Sequence, residues 1–199
     1  PRFVVALYDN MFGDNIHYSK SMMLAFYRNF LEWAIEDEDV VLIIKSKKPV
    51  ILTGLHEIHD LLTRAKDTKR CIIMGDVFGR LASDALYGAD IAVGIGISSA
   101  VTEAVIAGYR GVHCDLTSLR SHPYYQWGYN KIIFDDIDKL MAAMRRFKED
   151  PESEPELGDF PKYGDLLDPF RDGRGGARVG FYINCLLSAF DAGKSRSES

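Results

Sequence analysis

Two serines and a glutamate within one short stretch are the residues of this chain best suited to hold a phosphorylated ligand. Ser98 and Ser99 follow the turn Gly94-Ile95-Gly96, and Glu103 comes one helical turn after Ser99. If a helix begins at the serines, its first amide groups and its dipole attract an anion. Glu103 then lies on the same face, where its carboxylate can accept hydrogen bonds from the hydroxyls of a ribose. The spacing therefore predicts a site for a diphosphate joined to a ribose.

The surrounding sequence indicates the elements that position these residues. Residues 90–93 are strand-like, residues 98–107 have helical spacing, and residues 111–115 are again strand-like. A strand, a helix and a second strand in this order connect right-handedly in a parallel sheet, and such sheets bind ligands at the carboxyl ends of their strands. We therefore expect the start of the helix to lie at that edge.

A purely structural use of the same residues stays open. Serine is a favoured N-cap, small residues such as Ala100 and Ala104 let a helix pack on a sheet, and the helix dipole alone favours an acid near the helix start. A nicotinamide dinucleotide is not expected, because Ser99 stands where the dinucleotide fingerprint has its third glycine.

One motif runs through this stretch: Ser98-Ser99, then Glu103-Ala104, then Gly108 before a strand. It resembles the nucleotide-sugar motif in the C-terminal domain of glycosyltransferases with the B-type fold, which has two Rossmann domains. In that family the turn and the helix N-terminus hold the donor diphosphate, and the glutamate binds the ribose. The resemblance implies these roles for the following residues of this chain: Gly96, Ser98, Ser99 and Glu103.

The C-terminal part of the chain carries a second resemblance. Residues 168–173, with Arg178, Gly180 and the pair Leu186-Leu187, resemble the end of bacterial surface-polysaccharide biosynthesis proteins with the B-type fold. In that fold the last helix crosses back to an N-terminal domain, which carries most of the acceptor site. Because no Met precedes the first strand, we expect this acceptor domain to be missing from the sequence, which leaves the donor-binding half.

Lysines follow the strand-like residues 40–44, in the order Lys45-Ser46-Lys47-Lys48. Positive charge at the carboxyl end of a strand lies where a diphosphate would bind. Lys45 is the strongest candidate, and B-type transferases commonly place a basic residue in this region against the donor phosphates. Solvated surface lysines remain the alternative.

The loop after the first strand-like run, residues 3–8, should face the same edge of the sheet. Its Asp9, Asn10, Gly13 and His17 are therefore expected near the ligand cleft. Ordinary turn chemistry explains each of these residues as well, so none of them is assigned a role.

The chain as a whole predicts an α/β fold, a Rossmann-like three-layer domain with a mainly parallel sheet of about six strands. The strand-like runs are residues 3–8, 40–44, 70–74, 90–93, 111–115 and 131–134. Helices are expected at about residues 20–35, with Ser19 as N-cap, at 53–66, and at 137–148 after Asp135 or Asp136. We expect residues 1–150 to be the nucleotide-sugar-binding domain, and 151–199 to be a linker and a C-terminal helix that packs back on it.

Composition excludes several functions. The 199 residues carry a net charge of −5 with both signs interspersed, which argues against a nucleic-acid partner. The three cysteines cannot all pair, and Cys71 and Cys114 fall in apolar strands, so we expect a cytoplasmic protein. No apolar run approaches the ~20 residues of a membrane span. No cofactor and no metal are expected, since His56 and His59 form a pair without a third ligand.

These observations predict a protein that binds a nucleotide-sugar donor, the donor half of a glycosyltransferase in cell-surface polysaccharide biosynthesis. Fixed dipoles and cations, rather than a metal, would stabilise the departing diphosphate. A sugar-nucleotide epimerase of the same fold and a non-catalytic scaffold domain of a polysaccharide-assembly complex are the alternatives.

Overall fold

The computed structural model describes residues 2–75, 81–159 and 164–195. Within these ranges the strands are β1 (Phe3–Tyr8), β2 (Val40–Lys45), β3 (Cys71–Ile73), β4 (Ile91–Ile95), β5 (Arg110–Cys114) and β6 (Ile133–Phe134). They form one sheet in the order β3-β2-β1-β4-β5-β6, and every neighbouring pair is parallel. This confirms the predicted Rossmann-like α/β sheet. Because the order runs outward from β1 in both directions, the connections switch sides between β1 and β4.

Helices flank this sheet. They are α1 (Lys20–Glu36), α2 (Pro49–Thr53), α3 (His59–Asp67), α4 (Ser99–Ile106), α5 (Tyr124–Gly128) and α6 (Ile137–Glu149). The predicted N-caps of α1 and α6 are confirmed. The Ser19 hydroxyl accepts from the Met22 amide at 3.3 Å, and Asp136 accepts from the amides of Asp138 and Lys139 at 2.9 and 3.0 Å.

The single helix predicted for residues 53–66 is wrong, because the chain there forms two helices. Pro49 begins α2 early, since its fixed φ suits the first helical turn. Leu55 then leaves the helical region with φ −96° and ψ 62°, and its side chain is fully buried in the core. A 3-10 turn, His56–Ile58, leads into α3.

Side chains of β1 alternate between two apolar clusters, one on each face of the sheet. Val5 and Leu7 belong to the larger cluster, which includes Phe26, Phe30 and Trp33 of α1. Ala6 and Tyr8 belong to the smaller cluster, which includes Val101 and Ala104 of α4. The period of two along a strand thus places α1 and α4 on opposite faces.

Two glycines let α4 lie close to the sheet. A Cβ on Gly94 would lie 2.8 Å from the Val101 side chain, and one on Gly111 would lie 2.7 Å from the Val105 side chain. The placement of Gly94 in the turn, as predicted from the sequence, is wrong, because Gly94 lies within β4. Because Gly94 and Gly111 carry no side chain, Val101 and Val105 of α4 can pack directly on β4 and β5.

The chain divides into two compact units, Pro1–Tyr163 and Gly164–Ser199. The second unit contains α7 (Gly164–Leu167) and α8 (Gly175–Asp191), and the large apolar side chains of α8 are exposed. Arg178 pairs with Asp172 at 2.5 Å. The domain boundary near residue 150 and the packing back of the last helix stay predictions. None of the described helices is long and apolar enough to cross a membrane.

Candidate functional site

A cavity of about 390 Å³ opens at the carboxyl edge of the sheet, where the strand order reverses between β1 and β4. We call it the switch-point cavity. Among the described residues, its lining comes from the segments at the ends of β1 and β2, from the segment that follows β4, and from the 3-10 turn Ala82–Leu86: Tyr8, Asp9, Asn10, Lys45, Ser46, Lys47, Ala82, Ile97, Ser98, Ser99 and Ala100. Open parallel sheets bind their ligands at such a switch point.

Three of the five residues singled out from the sequence line this cavity: Lys45, Ser98 and Ser99. Gly96 and Glu103 are not among its lining residues. From the loop after β1, Asp9 and Asn10 line the cavity as expected, whereas Gly13 and His17 do not. The structure thus brings together one lysine and two serines that lie far apart in the sequence.

The first turn of α4 forms one wall of the cavity. Ser98 is the N-cap residue with extended backbone, but its side chain accepts no capping hydrogen bond. Its neighbours Ser99 and Ala100 line the cavity with it. Because the first amides of a helix have no partner within the helix, this turn presents N–H donors and a positive dipole end to the cavity.

A buried histidine supports the turn that leads into α4. The His113 ring on β5 is fully buried, and its Nδ1 accepts from the Ser98 amide at 3.1 Å. Burial lowers the pKa of His113 to about 3, although the nearby Gly96 carbonyl raises it in part, so the ring is neutral at neutral pH. The ring stacks on Tyr124, with centroids 5.1 Å apart. A lone histidine within the apolar strand at residues 110–114 was the sequence signal for such a role, and it was missed.

Tyr18 covers the turn at Gly96. The Tyr18 hydroxyl accepts from the Ile97 amide at 3.3 Å, and a Cβ on Gly96 would lie 2.1 Å from that oxygen. Gly96 has a positive φ of 70°, and its own amide donates to the Cys114 carbonyl at 2.7 Å. These contacts give Gly96 a structural role in the turn. Its role as a phosphate ligand stays a prediction.

The wall opposite α4 carries positive charge. Lys45 ends β2, and Lys47 reaches back across the β1 loop, where its Nζ donates to Asn10 Oδ1 at 3.1 Å. Asp9 is buried between these elements, and burial raises its pKa, although hydrogen bonds from Lys47, Ser46 and Tyr27 lower it in part.

Glu103 is exposed on α4, beyond the cavity wall. It lies close enough to Tyr8 to act on that phenol: burial, followed by the charges of Glu103 and Asp84, raises the pKa of Tyr8 well above its usual value. The Tyr8 hydroxyl donates to the Ala82 carbonyl at 2.8 Å. Glu103 does not line the cavity, and its predicted ribose contact stays a prediction.

Acidic and histidine side chains in the described ranges form no cluster of three or more that could hold a metal ion. The chain contains two Asp-x-Asp triplets, residues 37–39 and 136–138, and each serves a local turn. Asp37 accepts from the Asp39 amide at 3.0 Å, and Asp136 caps α6. The rings of His56 and His59 lie edge to face with centroids 5.0 Å apart.

No family model and no curated protein matches this chain. Among solved structures, the chain is similar to MnaA of S. aureus in a co-structure with UDP, at 10% identity and a TM-score of 0.58. The match covers 94% of this chain but 46% of the MnaA chain, so this chain spans about half of that protein. The molybdenum cofactor carrier protein MCP of Chlamydomonas reinhardtii matches over 75% of this chain and 99% of its own, at 12% identity and a TM-score of 0.45. Likeness at these identities shows the fold alone.

Proposed function

We propose that the switch-point cavity binds the diphosphate of a nucleotide sugar. The observation that carries this proposal is the meeting of the N-terminal turn of α4 with Lys45 across one cavity, at the point where the strand order reverses. A diphosphate there accepts hydrogen bonds from helix amides and serine hydroxyls on one side and faces ammonium groups on the other. Such charge-assisted hydrogen bonds contribute about 1.5–3 kcal/mol each.

The ribose then extends from the cavity over the first turn of α4. Glu103 is exposed one turn beyond Ser99, on the side of Tyr8 and Asp84. A carboxylate there accepts hydrogen bonds from two sugar hydroxyls without meeting the phosphates. This position supports the ribose contact that the spacing of Glu103 from Ser99 suggests.

The activity we propose is glycosyl transfer, with this chain as the donor-binding half, in cell-surface polysaccharide biosynthesis. The fold that it shares with UDP-bound MnaA and the match to 46% of that chain support a nucleotide-binding half, and the sequence motif supports a transferase. Amides and cations fixed around the cavity would stabilise the diphosphate as it departs. The acceptor and its base would lie on another domain, so the chain should bind donor without turning it over. Its free cysteines, Cys71, Cys114 and Cys185, suit the cytoplasm.

Calorimetry with UDP, GDP and CMP tests the binding site. At least one nucleoside diphosphate should bind, and Lys45→Ala and Glu103→Ala should each weaken its binding by about tenfold, the loss of one charge-assisted contact. Lys139→Ala, an exposed lysine on α6, is the matched control and should bind as the unmodified chain does. Heat from none of the nucleotides would overturn the proposal and favour a scaffold.

Product analysis tests the activity. The complete protein, given a nucleotide sugar and no acceptor, should return the same nucleotide sugar. An isomerised nucleotide sugar would instead identify an epimerase that uses the same cavity. With acceptor present, a transferase releases free nucleoside diphosphate.

A further inference from the structure

The switch-point cavity contains a carboxylate, which an anion site would not be expected to tolerate. Asp9 lines the cavity, yet its side chain is only 6% exposed. Tyr27 and Ser46 donate to its Oδ2 at 2.8 and 2.5 Å, and the Lys47 amide donates to its Oδ1 at 2.6 Å. Both carboxylate oxygens are thus engaged by donors of the chain itself.

These donors come from two different elements. Tyr27 is a fully buried residue of α1, whereas Ser46 and Lys47 belong to the segment directly after β2. Asp9 itself follows β1. The carboxylate therefore ties the Lys45–Lys47 segment to the neighbouring strand and to a helix of the core. Asn10 adds a contact to the Lys47 side chain at 3.1 Å.

Resting on the function proposed above, we infer that Asp9 is the positioning residue of the diphosphate site. It holds the Lys45–Lys47 segment opposite the first turn of α4, so that the lysines face the cavity. A carboxylate is needed because Oδ1 and Oδ2 both accept. The amide of an asparagine has one acceptor oxygen. If that oxygen accepts from the Lys47 amide, the NH₂ group faces the hydroxyls of Tyr27 and Ser46; Ser46 can then donate to the Lys48 carbonyl at 2.8 Å, but the buried Tyr27 hydroxyl loses the carboxylate that accepts its proton.

The variant Asp9→Asn distinguishes a positioning role from a purely electrostatic role, because the two roles predict opposite changes in UDP affinity. If Asp9 were only a negative charge beside an anion, its removal would tighten the binding of UDP. Since it positions the lysine segment, we expect Asp9→Asn to weaken UDP binding by about tenfold, the size of effect that small displacements of binding groups produce. Calorimetry with UDP measures this, and unchanged or tighter binding would overturn the inference.

Two further measurements test whether Asp9 acts on UDP binding through the Lys45–Lys47 segment. Binding of UDP to Asp9→Asn should depend less on salt concentration, as should binding to Lys45→Ala, because both lose ammonium contacts. The double variant, Asp9→Asn with Lys45→Ala, should bind UDP about as weakly as the weaker of the two single variants. Additive losses of binding free energy would mean that Asp9 acts elsewhere. A general loss of stability changes neither the salt dependence nor the additivity.

The matched control is Asp136→Asn, which makes the same chemical change in the N-cap of α6 and leaves UDP binding unchanged. If Asp9→Asn does not fold, Tyr27→Phe carries the test: it removes one donor, lies outside the cavity lining and should still weaken UDP binding measurably. Unchanged binding in Tyr27→Phe would then overturn the inference. If the unmodified chain binds no nucleoside diphosphate, the proposed function fails first, which the same calorimetry shows.

Discussion

The two halves of the sheet's carboxyl edge use their polar side chains differently. At the β5–β6 half these side chains satisfy one another. Tyr125 donates to Asp115 at 2.9 Å, Tyr129 donates to Asp135 at 2.8 Å, and the guanidinium of Arg120 pairs with Asp135. The half built on β1, β2 and β4 satisfies Asp9 in the same way, but it leaves the start of α4 without a side-chain cap and places Lys45 and Ser99 at the lining of a cavity.

The contrast is clearest at the two helix starts. The Asp136 side chain caps α6 by accepting hydrogen bonds from two backbone amides. The Ser98 side chain accepts no such bond from α4. Both residues belong to types that cap helices well. At the wall of the cavity, a good capping residue thus leaves the helix start without a side-chain acceptor. The contrast fits the proposal that the switch-point half binds a ligand, whereas the β5–β6 half satisfies its polar groups internally.

Acid should separate the His113 contact with the turn before α4 from the Asp135 contacts after β6, and this is the largest effect we expect. His113 has a folded pKa of about 3, below its usual 6.5, so the stability it contributes is fully present above pH 6.5 and is lost as the pH falls toward 3. We expect a loss on the order of 3 kcal/mol between about pH 7 and pH 4.

Asp135 behaves differently. Burial alone would raise its pKa, but Tyr129 and Arg120 hold the pKa below its usual 3.8, so its contribution is lost only below that pH. Urea unfolding of the unmodified chain and of His113→Asn at several pH values checks this. The variant keeps an acceptor near the Ser98 amide but cannot take up the proton. An equal loss in both proteins would contradict the assignment to His113.

A negative charge at the start of α4 should weaken UDP binding strongly while it stabilises the helix. Ser99→Glu puts a carboxylate where the diphosphate is proposed to bind, and we expect UDP binding to weaken by at least about a hundredfold. The helix dipole favours the same carboxylate by about 0.5 kcal/mol, so thermal unfolding should not move to lower temperature. Ser21→Glu, in the exposed first turn of α1, is the control and should leave UDP binding unchanged. Normal UDP binding by Ser99→Glu would place the ligand elsewhere.

Much of the site was predictable because strands with apolar, β-branched runs reveal a parallel sheet, and the carboxyl ends of such strands share one edge. That rule alone brings Lys45, Ser98 and Ser99 together. It could not identify Tyr18, because that residue lies 79 positions from Ile97, whose amide its hydroxyl contacts. His113 was within reach of sequence reasoning, since it is a lone histidine in the strand next to the turn. The rule also misplaced Gly94, since a glycine needed for the close approach of a helix looks the same in sequence as a glycine needed for a turn.

Gly96→Ala tests the turn that carries the uncapped helix. The substitution meets both an unfavourable φ of 70° and the Tyr18 hydroxyl, so we expect the free energy of unfolding to fall by about 2 kcal/mol. Gly88→Ala is the control, because Gly88 has a φ of 83° but nothing within 4 Å of the added Cβ, and it should lose about 1 kcal/mol. The difference between the two variants measures the Tyr18 contact. Equal losses would show that Tyr18 moves away without cost.

The smallest expected effect compares the two caps directly. Ser98→Ala removes a side chain that makes no capping hydrogen bond, so we expect a loss of stability below about 0.5 kcal/mol, whereas Asp136→Ala should cost about 1 kcal/mol. For UDP affinity the order of the two variants should reverse. Ser98→Ala should weaken UDP binding and Asp136→Ala should not, because Ser98 lines the cavity and Asp136 does not. Denaturation and calorimetry on the same two variants measure both quantities. If Ser98→Ala cost as much stability as Asp136→Ala, α4 would be capped in solution, and its first turn would not be free for a diphosphate.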